Sequence, residues 1–141
     1  MTDAIVEGGC LCGSVRYRVS GEPLARTLCH CRSCRMASAA PSVAWVVFGR
    51  DDFAFITGEP TRFRSSPAVV RTFCGTCGTP LTYQHESRPD AVDITTITLD
   101  NPDDFAPTKE IWTGEKVAWE RVNEAIAQYP ESSVGNADTS S

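Results

Sequence analysis

The chain has 141 residues, with 41% hydrophobic and 22% charged residues, as in an ordinary globular domain, so neither disorder nor a membrane protein is indicated. Its formal net charge of −5 gives it no general attraction for phosphate backbones, so no nucleic-acid partner is expected. It contains no apolar run of about 18 residues, so no transmembrane helix and no membrane partner are expected, and its acidic start lacks a hydrophobic signal core, so secretion is not expected. We therefore expect a cytoplasmic protein, in which cysteines more often bind metal or undergo redox chemistry than form structural disulfides.

Short predicted strands follow one another along the chain. Residues 14–20 alternate between apolar and polar side chains, which predicts a half-buried strand with Val15, Tyr17 and Val19 facing inward. Further strand candidates, rich in β-branched and aromatic residues and separated by turn signals, are residues 24–28, 43–48, 53–57, 62–65, 69–73, 81–85 and 91–99. This density of short strands indicates an all-β sandwich or barrel-like fold.

Helical patterns are few. One short helix is predicted over residues 35–40 with Ser33 as its cap, and a second over residues 120–128. The apolar residues of the C-terminal part that should pack against the sheets are Ile111, Trp112, Val117 and Trp119. We expect a single domain over residues 1–130 and a disordered tail over the small, polar residues 131–141.

Four of the seven cysteines form two pairs, each in a tight glycine-containing loop. They are Cys10, Cys12, Cys74 and Cys77. Four thiolates match the closed tetrahedral shell of a structural zinc, whose binding contributes about 10–16 kcal/mol to the folding of zinc-finger peptides. We therefore expect metal removal or Cys74→Ser to unfold the domain. The alternative is a redox dithiol at Cys74 and Cys77, but that motif usually accompanies a strand-helix-strand pattern that this sequence lacks.

The other three cysteines, Cys29, Cys31 and Cys34, follow a C-x-C-x-x-C spacing and have no fourth cysteine to share. Three protein ligands and one open position are typical of a catalytic zinc. His30 lies between two of them and should point away, since neighbours on an extended segment face opposite sides; His85 is the other candidate fourth ligand. The alternatives are a structural second metal, an empty trithiol or an adventitious disulfide. With two Zn²⁺ ions and seven thiolates, the formal charge of the protein would be −5 − 7 + 4 = −8.

Charge predicts the chemistry of the open site. A zinc ion with three thiolates has a formal charge of −1, so it should favour binding a substrate thiol over activating water. This indicates addition of a thiol to a carbonyl compound, or the reverse cleavage. The candidate pocket residues, chosen by residue type alone, are Trp45, Arg71, His85 and Trp112. Arg35 or Arg71 could supply the cation that an anionic thiol needs.

A rival hypothesis is a non-catalytic zinc module that binds a protein partner or stores metal. Zinc content together with displacement by small thiols would separate the two hypotheses. The sequence leaves the oligomeric state open, a homodimer included.

Three motifs carry a family resemblance: C-x-C-G-x-V-x-Y from Cys10, C-H-C-x-x-C-R from Cys29, and F-C-G-x-C-G-T-P-L from Phe73. Together with D-I-T-T from Asp93 and I-W-T-G-E-K from Ile111, they resemble the glutathione-dependent formaldehyde-activating enzyme family, also called the centromere protein V family. The resemblance covers about residues 5–130.

The resemblance implies a mainly β fold, a zinc-binding β-tent of two antiparallel sheets with few short helices. It implies that the four paired cysteines hold a structural zinc and that Cys29, Cys31 and Cys34 hold a catalytic zinc. The implied activity is that of a carbon–sulfur lyase on adducts such as S-(hydroxymethyl)glutathione, with glutathione as the small-molecule partner. One departure is Ala39-Ala40, in a stretch where the family often has a glycine. A side chain there would narrow the loop beside the open site.

Overall fold

The computed structural model describes residues 4–133, which form strands, one short α-helix and several single 3₁₀ turns. The strands are β1 (Ile5–Gly9), β2 (Arg16–Ser20), β3 (Ala25–Cys29), β4 (Val43–Gly49), β5 (Phe53–Thr57), β6 (Thr61–Ser66), β7 (Val69–Phe73), β8 (Pro80–His85), β9 (Ala91–Thr95), β10 (Lys109–Ile111) and β11 (Ala127–Gln128). The helix α1 is Arg32–Ser38. The 3₁₀ turns are Arg50–Asp52, Thr96–Thr98, Pro102–Phe105 and Thr113–Glu115. In the described part of the chain, no helix is long and apolar enough to cross a bilayer.

These strands form two sheets. The small sheet has the order β1-β2-β5, and the large sheet has the order β11-β10-β3-β4-β9-β8-β7-β6. All neighbouring strands are antiparallel except at one end of the large sheet, where β10 runs parallel to both β3 and β11. The predicted mainly β fold of two sheets is confirmed, and the parallel strand β10 is its one departure from antiparallel pairing.

The main hydrophobic core lies between the two sheets. Tyr17 and Val19 of β2 are fully buried there and pack in one cluster with Val46 and Phe48 of β4. This confirms the inward face predicted from the alternation of residues 14–20, including Val15. Side chains alternate along a strand, so the residues of β4 that alternate with Val46 and Phe48 point to the other face of the sheet.

A second apolar cluster lies on that other face of the large sheet. It contains Val43 and Trp45 of β4, which pack with Tyr83 of β8, Ile111 of β10 and Cys34 of α1. Strand β4 is therefore buried on both faces, which explains why its sequence is apolar almost throughout rather than alternating. The second cluster surrounds the central cysteine motif.

Two predicted features of the C-terminal part were wrong. Residues 120–128 do not form a helix: the chain instead runs along the free edge of β10, where Tyr129 N donates to Glu110 O at 2.9 Å. The strand edge offers this segment backbone partners, so sheet pairing overrides its helical apolar spacing. Trp119 does not pack against the sheets but is 71% exposed.

Smaller differences concern the ends of elements. The helix predicted over residues 35–40 is present but spans Arg32–Ser38. Its N-cap is Cys31, whose Sγ accepts from Cys34 N at 3.2 Å, and not Ser33. The strand predicted to reach Leu99 ends at Thr95, and a 3₁₀ turn follows. In the segment predicted to be a tail, Glu131 O accepts from Trp112 N at 3.0 Å, while residues 134–141 lie outside the described residues.

Candidate metal centres and adjoining cavities

The four paired cysteines meet in one cluster. Their Sγ atoms lie within 4.8 Å of one another, and the set is Cys10, Cys12, Cys74 and Cys77. The first pair sits in the loop between β1 and β2, the second in the loop between β7 and β8. Both loops turn in the same way: Gly13 N donates to Cys10 O at 3.1 Å, and Gly78 N donates to Cys74 O at 2.8 Å. Both glycines have φ above +80°, a conformation that a side chain would strain.

Hydrogen-bond donors surround the sulfurs of this four-cysteine cluster. Cys74 Sγ lies 3.4 Å from Ser14 Oγ and accepts from the backbone N–H groups of Thr76 and Cys77 at 3.3 and 3.4 Å. These bonds, led by that of Ser14, lower the pKa of Cys74 to about 5. The Thr79 hydroxyl, 3.2 Å from Cys77 Sγ, is the main cause that lowers the pKa of Cys77 to about 7. The loop thus stabilises thiolates, the form of cysteine that binds metal.

The three remaining cysteines meet in a second cluster on the other face of the large sheet. Cys29 ends β3, Cys31 caps α1 and Cys34 lies in its first turn, and their Sγ atoms are within 4.8 Å of one another. All three are almost completely buried. The pKa of Cys29 is raised, first because of its hydrogen bonds with Cys31 and Cys34 and then because of burial. Three thiolates in this buried place therefore require a cation among them, and the donor set suits a soft divalent metal.

His30 holds the three-cysteine motif in place from behind. Its side chain is fully buried and its Nε2 lies 2.5 Å from Glu110 Oε1, so it points away from the sulfurs as the alternation predicted. Glu110 Oε2 accepts from Asn123 N at 2.5 Å. The His30 backbone is also fixed at both ends: N–H donates to Ile111 O at 3.1 Å, and the carbonyl accepts from Arg35 Nε at 3.1 Å.

The second histidine does not join the cluster. His85 is buried on β8, and its Nδ1 accepts from Ser87 N at 3.1 Å and lies 2.8 Å from Ser87 Oγ. Among the described residues, the metal-ligand group around Cys29 contains cysteines alone, so neither histidine supplies a fourth ligand. Nor does His85 line either of two cavities close to this cluster, contrary to its prediction as a pocket residue.

A cavity of about 380 Å³ opens directly onto the three-cysteine cluster, and we call it the cysteine cavity. Its walls include Cys29 and Cys34 together with the predicted pocket residues Trp45 and Trp112. Its other apolar lining residues include Val47, Tyr83 and Ile111, and its charged ones are Arg88, Asp90, Asp93 and Lys109. Arg88 and Asp93 form an ion pair with Nη2 and Oδ1 3.3 Å apart.

A second cavity, of about 550 Å³, lies between α1 and strands β6 to β8, and we call it the arginine cavity. Arg32 and Arg71 line it, together with Trp45, Phe63 and other largely apolar or small residues. Arg71 is buried; its Nη2 lies 3.8 Å from Cys34 Sγ, and its guanidinium lies 4.9 Å from the centre of the Tyr83 ring.

The two cations proposed for an anionic thiol thus differ in position. Arg71 lies between the arginine cavity and the three-cysteine cluster. Arg35 lines neither cavity: its guanidinium donates to the backbone carbonyls of His30 and Glu115, both at 3.1 Å, so it fixes the loop beside α1.

Sequence reasoning missed Glu110, the partner of His30. Its only local signal is an acidic residue inside a three-residue strand, and its partner lies 80 positions away. It also missed the two-cavity arrangement, since nothing in the sequence shows that Arg32 and Arg71 face one space.

Comparison with known proteins gave three findings. Residues 5–115 match the model of the family described as "Glutathione-dependent formaldehyde-activating enzyme". A Rhodobacter sphaeroides protein, whose crystal structure was determined as a structural-genomics target, is similar at a TM-score of 0.59 and 25% sequence identity, over 72% of this chain and 97% of that one. No curated protein matches the chain.

Proposed function

Because the chain belongs to the glutathione-dependent formaldehyde-activating enzyme family, we propose that it is a zinc-dependent carbon–sulfur lyase. Its substrates would be adducts of a thiol and a carbonyl compound, such as S-(hydroxymethyl)glutathione. One observation above all supports this: two of the three clustered, buried cysteines, Cys29 and Cys34, form part of the wall of a cavity large enough for a small molecule.

The two clusters would have different roles. Cys10, Cys12, Cys74 and Cys77 would hold a structural zinc that joins the small sheet to the β7–β8 loop, since four thiolates complete its shell. Cys29, Cys31 and Cys34 would hold a second zinc. Bound there, zinc would supply a cation that favours the thiolate form of a substrate thiol.

The residues around the three-cysteine cluster would shape the reaction. In the forward direction, a bond forms between the thiol sulfur and the carbonyl carbon, the C=O π bond breaks, and the thiol proton goes to the carbonyl oxygen. Arg71, 3.8 Å from Cys34 Sγ, partly offsets the negative charge of the thiolates. Trp45, Tyr83 and Trp112 give the cysteine cavity apolar walls that exclude water from the reacting atoms. A cytoplasmic location, where thiols stay reduced, fits this chemistry.

Exchange spectroscopy by NMR tests the proposal, because it measures interconversion of glutathione, formaldehyde and their adduct at equilibrium. Zinc-loaded protein should accelerate the exchange, and Cys34→Ser should abolish the acceleration while the protein remains folded and keeps one zinc ion per chain. A Cys34→Ser protein that exchanges as fast as the wild type would contradict the assignment. If wild-type protein binds two zinc ions but does not accelerate exchange for any thiol tested, this would favour a non-catalytic zinc module instead.

A further inference from the structure

Two cavities with different lining residues lie near the three-cysteine cluster. Trp45 lines both of them, so the cysteine cavity and the arginine cavity share this wall residue. The cysteine cavity reaches the cluster through Cys29 and Cys34 themselves. The arginine cavity reaches it through Arg71, whose guanidinium contacts Cys34 Sγ. A molecule whose sulfur lies at the cluster therefore has the cysteine cavity directly beside it and the arginine cavity beyond Arg71.

The charges of the two cavities differ. The arginine cavity has two cationic lining residues, Arg32 and Arg71, and no aspartate or glutamate. The Arg32 guanidinium is exposed and forms no ion pair within residues 4–133. The cysteine cavity has two cationic and two anionic lining residues, so its formal charges cancel. An anionic group is therefore favoured in the arginine cavity, and an uncharged apolar group in the other.

The cysteine cavity is also too large for a one-carbon unit. One water molecule, which has one heavy atom, occupies about 30 Å³ in the liquid. Formaldehyde has only two heavy atoms. A group of this size leaves most of the cavity of about 380 Å³ unfilled. Trp45, Val47, Tyr83, Ile111 and Trp112 line the remaining space and match an apolar chain or ring.

We propose that the two cavities bind the two halves of the adduct separately. The arginine cavity takes the anionic groups of the thiol compound beside Arg32 and Arg71, and the cysteine cavity takes an apolar carbonyl compound larger than formaldehyde. The carbon–sulfur bond then lies at the three-cysteine cluster, where the two cavities approach each other. This assignment rests on the proposed lyase function and names its substrate class. Addition of the thiol to the carbonyl group needs no oxidant or reductant.

The three tryptophans allow a direct binding test. Trp45 lines both cavities, Trp112 lines the cysteine cavity alone, and Trp119 lines neither. We would titrate zinc-loaded, ¹⁵N-labelled protein with S-methylglutathione, an anionic probe without a thiol proton, and with benzyl alcohol, an apolar probe without a carbonyl. S-methylglutathione should shift the indole resonance of Trp45 but not that of Trp112. Benzyl alcohol should shift both, and Trp119 should not respond. Competition between the probes, or a shift of Trp112 by S-methylglutathione, would overturn the proposal.

A matched pair of arginine variants tests the charge assignment. Arg32→Gln removes a cation from the arginine cavity, while Arg62→Gln removes one from the exposed face of β6, outside both cavities. Arg32→Gln should lower the affinity for S-methylglutathione by about two- to fivefold, as expected for an exposed charge, without changing the affinity for benzyl alcohol. Arg62→Gln should change neither. If the two variants lower the affinity for S-methylglutathione equally, the effect is one of net charge, and a local site is refuted.

Exchange rates then separate this inference from the proposed function. With glutathione as the thiol, acceleration over the uncatalysed rate should be at least about tenfold greater for phenylacetaldehyde than for formaldehyde, since each methylene in a fitted pocket is worth about tenfold or more. Greater acceleration for formaldehyde would overturn the assignment of the carbonyl half while leaving the lyase function intact. If neither aldehyde is accelerated although the two probes bind apart, the lyase function fails, and the assignment of the carbonyl half fails with it.

Discussion

Removal of the Glu110 carboxylate should destabilise the protein strongly. Glu110 is fully buried, and its two oxygens accept from His30 Nε2 and Asn123 N, both at 2.5 Å. Glu110→Ala leaves His30 Nε2 buried without this partner and removes the acceptor of the Asn123 N–H group, and breaking a buried pair in this way costs about 3–5 kcal/mol. That is a large part of a typical unfolding free energy of about 5–15 kcal/mol. Glu110→Gln keeps the shape and one acceptor oxygen, so we expect it to cost about half as much.

Urea unfolding of zinc-loaded protein measures this loss as a shift in the transition midpoint. Glu7→Ala is the matched control, because Glu7 pairs with Arg16 and Arg18 at the surface, where such pairs contribute about 0–1 kcal/mol. If Glu110→Ala and Glu7→Ala lower the unfolding free energy equally, the buried pair does not have the importance assigned to it.

The same substitution should affect one zinc site selectively. His30 lies between Cys29 and Cys31, so loss of its partner removes the side-chain anchor of the residue that connects two of the three cysteines. Loss of a residue that orients metal ligands typically costs about 10- to 100-fold in metal affinity. Competition with a chelator should therefore show one weakened zinc ion and one unchanged. Equal weakening of both would refute the positioning role of Glu110.

Three further outcomes follow from the geometry. Cys74→Ser should abolish the cooperative thermal unfolding transition measured by circular dichroism, because a metal held by the four cysteines would contribute directly to folding. A cooperative transition at the wild-type temperature would contradict this. Ala39 follows the end of α1 with φ +52°, a left-handed conformation that costs a side-chain-bearing residue free energy. Ala39→Gly should therefore raise the unfolding free energy in urea by about 1 kcal/mol, whereas Ala37→Gly inside α1 should lower it by a similar amount. Arg16 holds the pKa of Asp100 below its usual range, so Asp100→Asn should be slightly less stable than the wild type at neutral pH. This difference in stability should disappear as the pH falls below about 4, where the Asp100 carboxylate becomes protonated. A difference that grows with acidity would refute the pairing.

The division of the cysteines was predictable because it depends on number and spacing. Seven thiols in groups of two, three and two leave few ways to fill metal shells, and the structure brings together the same four and three. Strands such as β2 and β7 were predictable for a similar reason, since burial on a sheet leaves a local pattern in the sequence. The departure expected at Ala39-Ala40 also proved informative, because Ala39 adopts the left-handed conformation that glycine favours.

Features that depend on distant pairing were not predictable. Strands β10 and β11 have three and two residues, too few for any periodicity to appear. Strand β10 pairs in parallel with β3, about 80 positions earlier, and the segment predicted as a helix pairs with the edge that β10 leaves free. The partner of His30 and the residues facing each cavity depend on this pairing, so no local pattern could have identified them.

The two cysteine clusters use the same ligand in opposite surroundings, and this difference supports their different proposed roles. At the four-cysteine cluster, backbone N–H groups and the hydroxyls of Ser14 and Thr79 stabilise the thiolates. At the three-cysteine cluster, the thiols are buried, and the neighbouring cation is Arg71 at 3.8 Å. A metal held by the four cysteines would have four thiolate ligands, which fill a tetrahedral shell. A metal held by the three cysteines would have one ligand position left, beside two cavities that differ in charge. The three-cysteine cluster is therefore the one at which we propose that a substrate thiol binds and reacts.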